Sequence, residues 1–238
     1  MNKGGDFLTM LLEDELFQDK EELIVDECLT FMLAASQTTT GTIIHCLHFL
    51  SRHGNVREKL RAEMRKLMGS SDENLQDISQ ERWKEILLDK ELASECNYLS
   101  YCVSETLRLD PPIRSSSKLI TTQEIELSTG TRILEGQAIT LNIAYLQTNP
   151  KHWIQAEDYI PERFDPTSEY YLRPDGKKRH PMSFGPFLGG RRICLGKTFA
   201  ESIVKCKMAM LVALLDFTFV KEEVKNDKRP YTMFHSCP

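Results

Sequence analysis

The stretch that decides the fold lies near the C-terminus and reads Phe187-Leu188-Gly189-Gly190-Arg191-Arg192-Ile193-Cys194-Leu195-Gly196. It combines one cysteine with several loop glycines, and a long helical pattern from Lys197 to Leu215 follows it. Cys194 is therefore predicted to lie at or next to a helix N-terminus. There the helix dipole and the unpaired N–H groups lower the pKa of a thiol and favour the thiolate, which binds metals. A single thiolate suits haem iron better than zinc, which takes several protein ligands.

A lone cysteine is more often a small buried hydrophobic residue than a ligand. The pattern Phe-x-x-Gly-x-Arg-x-Cys-x-Gly nevertheless fixes five positions, and at average residue usage a chance match is rare. Gly190 permits a tight loop, and Gly196 lets a flat ligand approach the backbone closely. Phe187 can screen the sulfur from water, and Arg192 can pair with an anionic group at the ligand edge. The pattern therefore favours Cys194 as a haem ligand.

This loop, residues 187–196, resembles the cysteine haem loop of the cytochrome P-450 family, the haem-thiolate monooxygenases. The resemblance implies haem b (iron protoporphyrin IX) as cofactor, with Cys194 as the proximal iron ligand. It implies insertion of one oxygen atom from O2 into an apolar organic substrate, with electrons from an NADPH-dependent reductase or another donor. The fold expected is mainly α with a small β-sheet region. Residues 1–238 would form a single partial domain, the C-terminal haem-binding half of a eukaryotic microsomal-like cytochrome P-450.

An acid and a base stand three residues apart at Glu105 and Arg108, on one face of a predicted helix over 90–109. Such a pair on a surface contributes a few tenths of a kcal/mol, and Glu58 with Arg61 is interpreted in that way. In the family, however, the Glu-x-x-Arg pair interlocks with the arginine of a Pro-Glu-Arg-Phe segment, here Arg163. The resemblance therefore implies a buried structural triad that fixes the core around the haem.

The long helix predicted over about 19–52 carries Ala34-Ala35-Ser36-Gln37-Thr38-Thr39-Thr40-Gly41 near its middle. Threonine and glycine are poor helix formers, so a plain kink is one interpretation. The resemblance implies instead a distal oxygen-binding groove with an acid–alcohol pair that delivers protons. Thr38 would be the alcohol, and Gln37 stands where the family usually has Asp or Glu. An amide can orient water but cannot ionise, so the proton relay is expected to run through water.

Two other positions have weaker patterns. Lys118 lies ten residues past Arg108, where relatives often have an arginine that reaches a haem propionate. A lysine can supply a point charge there, although an ordinary surface lysine is equally compatible with the sequence. His45 and His48 could nominally share a metal, but without a third ligand nearby they are interpreted as core or surface histidines.

Composition limits the partners and the compartment. The chain has 238 residues and a net charge of −5, which argues against nucleic acid as a partner. Its seven cysteines are odd in number and lack C-x-x-C spacing, so neither a disulfide framework nor a zinc site is indicated, and a reducing compartment is favoured. No signal peptide or membrane span is visible. Because family members are much longer, we expect the N-terminal half to be missing. The family implies the cytosolic face of the endoplasmic reticulum, with membrane association through that half.

The periodicity predicts mostly helices with a short sheet region. The long helix is apolar nearly all round, which predicts that it lies in a core. Residues 146–186 show little periodicity and are predicted to be ordered but irregular. The other elements predicted are helices over 7–19, 55–68, 80–88 and 197–215, strands over 124–127, 131–134 and 138–143, and a terminal hairpin over 217–234.

Two rival functions stay open. The first is a reductase-independent isomerase or dehydratase of the same family, which acts on a peroxide. Gln37 favours this possibility and Thr38 argues against it. The second is a truncated, catalytically incompetent fragment that binds haem weakly or not at all. Peroxide-driven turnover without NADPH would indicate the first, and the absence of haem ligation would indicate the second.

Overall fold

The computed structural model describes residues 6–67, 79, 81 and 96–218. The chain divides into two compact units, Met1–Thr40 and Gly41–Pro238, and each is described by itself. Within the described residues the structure is mostly helical, with two small two-stranded antiparallel sheets. The prediction of a mainly α fold with a small β-sheet region is therefore confirmed.

In the first unit, helix α1 covers Phe7–Glu13. It begins there because the Asp6 carboxylate accepts a hydrogen bond of 2.8 Å from the backbone N–H of Thr9, which satisfies one of the unpaired amides at the helix start. The ring of Phe7 packs against that of Phe31, with 4.5 Å between the centroids. This ring contact holds α1 against the part of the long helix that lies in the same unit.

The helix predicted over 7–19 is shorter than expected. After α1 the chain forms a separate 3-10 helix, Glu15–Phe17. The break occurs because the carboxylate of Asp14 accepts a hydrogen bond of 2.9 Å from the backbone N–H of Leu16. A side chain that bonds its own neighbouring backbone offers an alternative to the helical ladder.

Helix α2 covers Glu21–Arg52, against the prediction of about 19–52. The expectation that it would be buried along its whole length is wrong for its first part, where apolar side chains are 41–69% exposed. Burial on all sides requires packed neighbours on all sides, and in the described part of this unit the only other α-helix, α1, has seven residues. The exposed side chains are Leu23, Val25, Leu29, Met32 and Leu33.

In the second unit, the end of α2 joins a compact helical core. Helix α3 covers Gly54–Leu67 and buries one apolar stripe at a spacing of three to four residues, while Glu58, Lys59 and Lys66 are exposed. Helix α6 covers Lys197–Leu214 and packs on the same core. The buried residues of these three helices that form the core are Cys46, Phe49, Leu50, Val56, Leu60, Met64, Leu67, Val204, Met208, Ala209, Val212 and Ala213.

Helix α4 covers Asn97–Leu109, the described part of the helix predicted over 90–109. Its first amides are satisfied from another helix, because the Glu63 carboxylate accepts hydrogen bonds from the backbone N–H groups of Tyr98 at 2.7 Å and Leu99 at 2.8 Å. Burial raises the pKa of Glu63, although these hydrogen bonds oppose the shift. The start of α4 is thereby tied to α3.

The sheet region is built from two-residue strands. β1 (Leu119–Ile120) pairs with β4 (Ala138–Ile139), and β2 (Ile125–Glu126) pairs with β3 (Arg132–Ile133). The predicted strands over 124–127 and 131–134 contain β2 and β3, whereas β1 was not predicted. Two residues are too few to show an alternating pattern, and β1 lacks the Thr129-Gly130 turn that marked β2 and β3 in the sequence.

The strand predicted over 138–143 is also corrected. It ends at Ile139, and Ile143–Gln147 forms a short helix, α5. The side-chain oxygen of Asn142 accepts a hydrogen bond of 2.9 Å from the backbone N–H of Tyr145. This N-cap starts a helix where the apolar residues alone had favoured a strand.

The stretch over 146–186 contains α5's end and three 3-10 helices, Pro161–Phe164, Glu169–Tyr171 and Pro181–Ser183. The predicted helix over 80–88, apart from its second residue, and nearly all of the hairpin predicted over 217–234 lie outside the described residues. In the part of the chain that is described, no helix combines the length and apolar character needed to cross a membrane.

Candidate functional site

The cysteine loop is a tight turn whose backbone is bonded to itself. The N–H of Cys194 donates to the C=O of Phe187 at 2.9 Å, and the N–H of Leu188 donates to the C=O of Gly185 at 3.0 Å. Between these bonds a 3-10 helix, Gly190–Arg192, reverses the chain. The position of the sulfur is therefore set by the backbone that begins at Gly185.

Two residues of this loop have left-handed backbone conformations. Gly190 has φ +66°, which is the freedom predicted for it from the sequence. Leu188 has φ +61°, an uncommon conformation for a residue with a side chain. The sequence carried no sign of this second strained position.

Replacement of Gly190 by alanine is expected to lower the free energy of unfolding by about 1–2 kcal/mol, because an added Cβ is disfavoured at positive φ. A Cβ at Gly190 would meet no atom within 4 Å, so the whole effect is conformational. Gly54 is the matched control: it has ordinary φ and equal space in helix α3. Gly54→Ala is expected to be neutral or to stabilise, since alanine is the better helix former. Urea unfolding of the two variants checks the difference, and equal effects would contradict it.

Cys194 is exposed and lies three residues before the first residue of α6. Its C=O accepts a hydrogen bond of 3.3 Å from the N–H of Lys197, which joins the loop to the helix start. Phe187 is partly buried against the helical core, and the ammonium of Lys197 lies 5.9 Å from the centre of its ring. Cys194 therefore lies next to the N-terminus of α6, the positive end of its helix dipole, and Lys197 at that end contacts the ring of Phe187.

Two other cysteines of the second unit have different surroundings. Cys46 and Cys102 are buried in the core, and burial raises the pKa of Cys46 to about 12 and that of Cys102 well above its usual range. Buried thiols of this kind stay protonated and do not bind metals readily. Among the free cysteines of the described residues, Cys194 is the exposed one.

The donor set around Cys194 fits a haem rather than a protein-built metal site. Among the described residues no three His, Cys, Asp or Glu side chains cluster closely enough to hold a metal ion. One thiolate is the protein's contribution to a haem, whose other equatorial ligands come from the porphyrin. A Cβ at Gly190 or Gly196 would meet nothing within 4 Å, so both glycines of the loop border open space.

Exposed apolar side chains flank the thiol along the chain. Leu195 is 82% exposed and Phe199 is 65% exposed, and Ile193 on the other side of Cys194 is exposed as well. Apolar side chains next to an exposed thiol match the faces of a porphyrin, which are largely apolar. This arrangement also fits a haem.

The structure brings Glu105, Arg108 and Arg163 together in a triad whose side chains are all 0% exposed. The guanidinium of Arg108 donates two hydrogen bonds to the Glu105 carboxylate, at 2.7 and 2.8 Å. Arg163 donates to the same carboxylate at 3.0 Å, and the N–H of Ile160 does so at 2.9 Å. A shared, fully hydrogen-bonded carboxylate is the condition under which buried charges are tolerated.

The remaining N–H groups of the two guanidiniums in the triad donate to backbone carbonyls. Arg108 donates to Gln147 at 2.9 Å and to Ala156 at 2.7 Å, while Arg163 donates to the carbonyls of Ile154 and Gln155. Burial lowers the pKa of Arg163, and the carboxylate of the triad opposes that shift. The triad therefore ties helix α4 to the irregular chain that precedes the cysteine loop.

Sequence reasoning missed two residues that complete this cluster. Trp153 is almost fully buried, and the guanidinium carbons of Arg179 and Arg108 lie 4.3 and 5.1 Å from the centre of its ring. Arg179 also donates to the C=O of Arg163 at 2.6 Å. Burial lowers the pKa of Arg179 to about 10. Both residues lie in the aperiodic stretch over 146–186, where neither a motif nor a spacing marked them.

His45 makes a protein contact instead of a metal contact. Its Nδ1 lies 3.0 Å from the C=O of Asp110 and 3.5 Å from the carboxylate of the same residue. Arg114 donates to that carboxylate at 2.8 Å. The interpretation of His45 as a buried histidine agrees with these contacts, which join helix α2 to the end of α4.

Gln37 and Thr38 belong to the first unit. Gln37 is exposed, and Thr38 is partly buried with its hydroxyl donating to the C=O of Ala34 at 2.8 Å. This is the bond to the preceding turn that threonine makes in helices. The roles of both residues in proton delivery stay predictions.

Lys118 and Arg192 are both exposed and belong to the second unit. Lys118 directly precedes strand β1, and Arg192 ends the 3-10 helix of the cysteine loop. The ammonium and the guanidinium are both available to an anionic group. Their pairing with haem propionates stays a prediction.

Comparisons with known proteins point to one family. The family model for Cytochrome P450 matches residues 2–236. Cytochrome P450 4F6 from Rattus norvegicus is 31% identical over 231 residues, which cover 96% of this chain and 39% of the relative. Leukotriene-B4 omega-hydroxylase 3 from Mus musculus is 31% identical over 233 residues, or 96% of this chain and 40% of the relative. Cytochrome P450 4F12 from Homo sapiens is 33% identical over 227 residues, or 94% and 39%. The chain thus spans about two fifths of the length of these relatives.

Proposed function

The chain belongs to the cytochrome P450 family, and from that premise we propose that it is the haem-binding part of a haem-thiolate monooxygenase. Cys194 is the proximal ligand of haem b in this proposal. The observation that carries it is the exposed thiol in a self-bonded glycine loop immediately before helix α6. When bound, the haem supplies the iron at which O2 is activated, and a thiolate ligand favours cleavage of the O–O bond.

The other loop residues hold and orient the haem. Phe187, which packs against the helical core, would limit the access of water to the sulfur of the bound form and so keep the thiolate a strong donor. Gly190 and Gly196 leave the space that the porphyrin needs, since a Cβ at either position would project into open space. Arg192 and Lys118, both exposed cations, pair with the two propionates. An arginine offers a bidentate partner and a lysine a point charge.

The buried triad is structural in this proposal. Glu105, Arg108 and Arg163 hold α4 against the chain over 154–163 and so provide a rigid support for the cysteine loop. A site for a haem requires such a support, because small displacements of a ligand weaken coordination.

Proton delivery is assigned to Thr38 and Gln37. The Thr38 hydroxyl would pass on its own proton by releasing its hydrogen bond to the C=O of Ala34, and would take up a replacement proton from water. The Gln37 amide cannot ionise, so it orients a water molecule and the proton comes through that water.

The family and its relatives also suggest the wider setting. A relative bears the name Leukotriene-B4 omega-hydroxylase 3, and on that basis we assign to this chain an apolar, lipid-like substrate that is hydroxylated. O2 is the oxidant, and an NADPH-dependent reductase or another donor supplies the electrons. Association with the cytosolic face of the endoplasmic reticulum is part of the same proposal. The proposal also includes a single partial cytochrome P-450 domain over residues 1–238. This domain contains the long helix, the Glu-x-x-Arg helix and the cysteine loop.

The test is turnover by the haem-loaded 238-residue chain with a reductase, NADPH and a fatty acid, under O2 that carries the heavy oxygen isotope. We expect a hydroxylated product that contains one labelled oxygen atom and whose formation requires NADPH. Product formation from a lipid peroxide without NADPH would favour the isomerase or dehydratase instead, as the uncharged Gln37 permits. A chain that binds haem through Cys194 but gives no product under either condition would be a catalytically incompetent haem-binding fragment.

A further inference from the structure

Gln147 is a fully buried amide at the end of helix α5. Its Nε2 donates to the backbone C=O of Leu107 at 2.9 Å and of Arg108 at 3.2 Å. Its Oε1 accepts a hydrogen bond of 2.9 Å from the backbone N–H of Gly185. One side chain thus joins the C-terminal end of α4 to the chain that enters the cysteine loop.

The two carbonyls belong to the last turn of α4, where a helix has no N–H partners of its own to offer. The connection also runs in the reverse direction, because the guanidinium of Arg108 donates to the backbone C=O of Gln147 at 2.9 Å. Gln147 is therefore fixed to the same arginine that binds Glu105 in the buried triad. Its amide oxygen has a defined position from which to hold Gly185.

From Gly185 the hydrogen bonds continue to the thiol-bearing residue. The C=O of Gly185 accepts from the N–H of Leu188 at 3.0 Å, and the C=O of Phe187 accepts from the N–H of Cys194 at 2.9 Å. The N–H of Gly185 is held by Gln147 and its C=O by the loop. Displacement of Gly185 would therefore move the backbone that positions Cys194.

We propose that Gln147 is a positioning residue for Cys194, which transmits the fixed geometry of the buried triad to the cysteine loop through the N–H of Gly185. This inference rests on the proposed function in one respect, namely that Cys194 binds the haem iron. An amide is the group that this place requires, because it donates at one atom and accepts at another. A methionine of similar shape can do neither, and an ionised carboxylate can only accept.

The first test uses the haem-free chain and Gln147→Met. Loss of the acceptor is expected to speed hydrogen exchange of the Gly185 amide by roughly fivefold to tenfold, the factor that the loss of one hydrogen bond produces. Gln137→Met is the matched control, because the Oε1 of this exposed hairpin glutamine also accepts a backbone bond, from Leu134 at 2.9 Å. Exchange at Gly185 should be unchanged in that variant. Unchanged exchange in Gln147→Met would overturn the inference.

The second test uses the haem-loaded chain after reduction and addition of carbon monoxide. Gln147→Met is expected to convert at least half of the strongly red-shifted band of thiolate ligation into the band of a protonated or detached thiol, whereas Gln137→Met keeps the parent spectrum. A parent-like spectrum in Gln147→Met, despite faster exchange at Gly185, would overturn the positioning role. A parent chain without any thiolate band would overturn the proposed function, and with it the role of Gln147 toward iron. Hydrogen exchange at Gly185 would still show whether the bond from its N–H to Gln147 exists.

Gln147→Glu separates positioning from a general loss of folding. A buried carboxyl favours its neutral form, and the neutral form donates at one oxygen and accepts at the other, as the amide does. Relative to the parent at the same pH, the thiolate fraction in Gln147→Glu should therefore rise as the pH falls and the carboxyl takes up a proton. A thiolate fraction that stays low at every pH, in a chain that is folded by circular dichroism, would contradict the inference.

Discussion

Glu105→Gln is expected to lower the free energy of unfolding by about 3–5 kcal/mol, the usual effect of removing one partner of a buried ion pair. The glutamine has nearly the same shape, so the effect comes from the charge and not from a cavity. Both guanidiniums that share this carboxylate, those of Arg108 and Arg163, are fully buried and cannot turn to water instead. Since a domain has a total stability of about 5–15 kcal/mol, this loss removes a large fraction of it.

The chain contains a matched control for this variant. Glu58 and Arg61 have the same spacing on helix α3, but their oxygen and nitrogen atoms are 3.4 Å apart and Glu58 is largely exposed. Glu58→Gln is expected to change the free energy of unfolding by less than about 1 kcal/mol, because solvent screens the pair. Urea unfolding monitored by circular dichroism measures both variants on the same scale. Equal destabilisation by the two substitutions would contradict a buried, charge-dependent triad.

The contrast between these two pairs shows what the sequence could predict. Spacing alone describes Glu58 with Arg61 and Glu105 with Arg108 equally well. Only the motif context, together with Arg163 in its own Pro-Glu-Arg-Phe segment, separated the buried pair from the exposed one. Glu105 and Arg163 lie 58 positions apart in the sequence. Their contact could be predicted because each of them lies in a recognisable motif.

Gln147, Trp153 and Arg179 could not be predicted in this way. Their main partners are backbone carbonyls, a backbone N–H and the face of a ring. Every residue has backbone groups, so a side chain that bonds to the backbone does not require any particular residue type as its partner. The sequence therefore contains no second residue that would reveal the contact. They appear only when the irregular chain over 146–186 has a defined path.

Two mistaken expectations, one about secondary structure and one about burial, have simple physical causes. At Ile143 the apolar residues suggested a strand, but the Asn142 side chain caps a helix start and decides the local conformation. In α2 the composition correctly indicated apolar faces, and Leu29 and Met32 are nevertheless exposed. A hydrophobic pattern reports which faces favour burial, whereas burial itself depends on which neighbours are packed there.

Cys194→Ser is expected to abolish thiolate ligation completely. Serine is close in size to cysteine, so the loop should keep its backbone bonds to Phe187 and Lys197. Its hydroxyl is far less acidic than a thiol and is a poor ligand for iron, whereas the thiolate is the form that binds metals. Cys206→Ser is the matched control, since Cys206 is a partly buried free cysteine on helix α6. It should leave the ligation unchanged.

The decisive measurement is the absorption spectrum of the 238-residue chain, loaded with haem, reduced and exposed to carbon monoxide. The strongly red-shifted Soret band of thiolate ligation is expected in the parent and in Cys206→Ser, and is expected to be absent in Cys194→Ser. Absence of this band from the parent, or its persistence in Cys194→Ser, would contradict the assignment of Cys194 as the haem ligand.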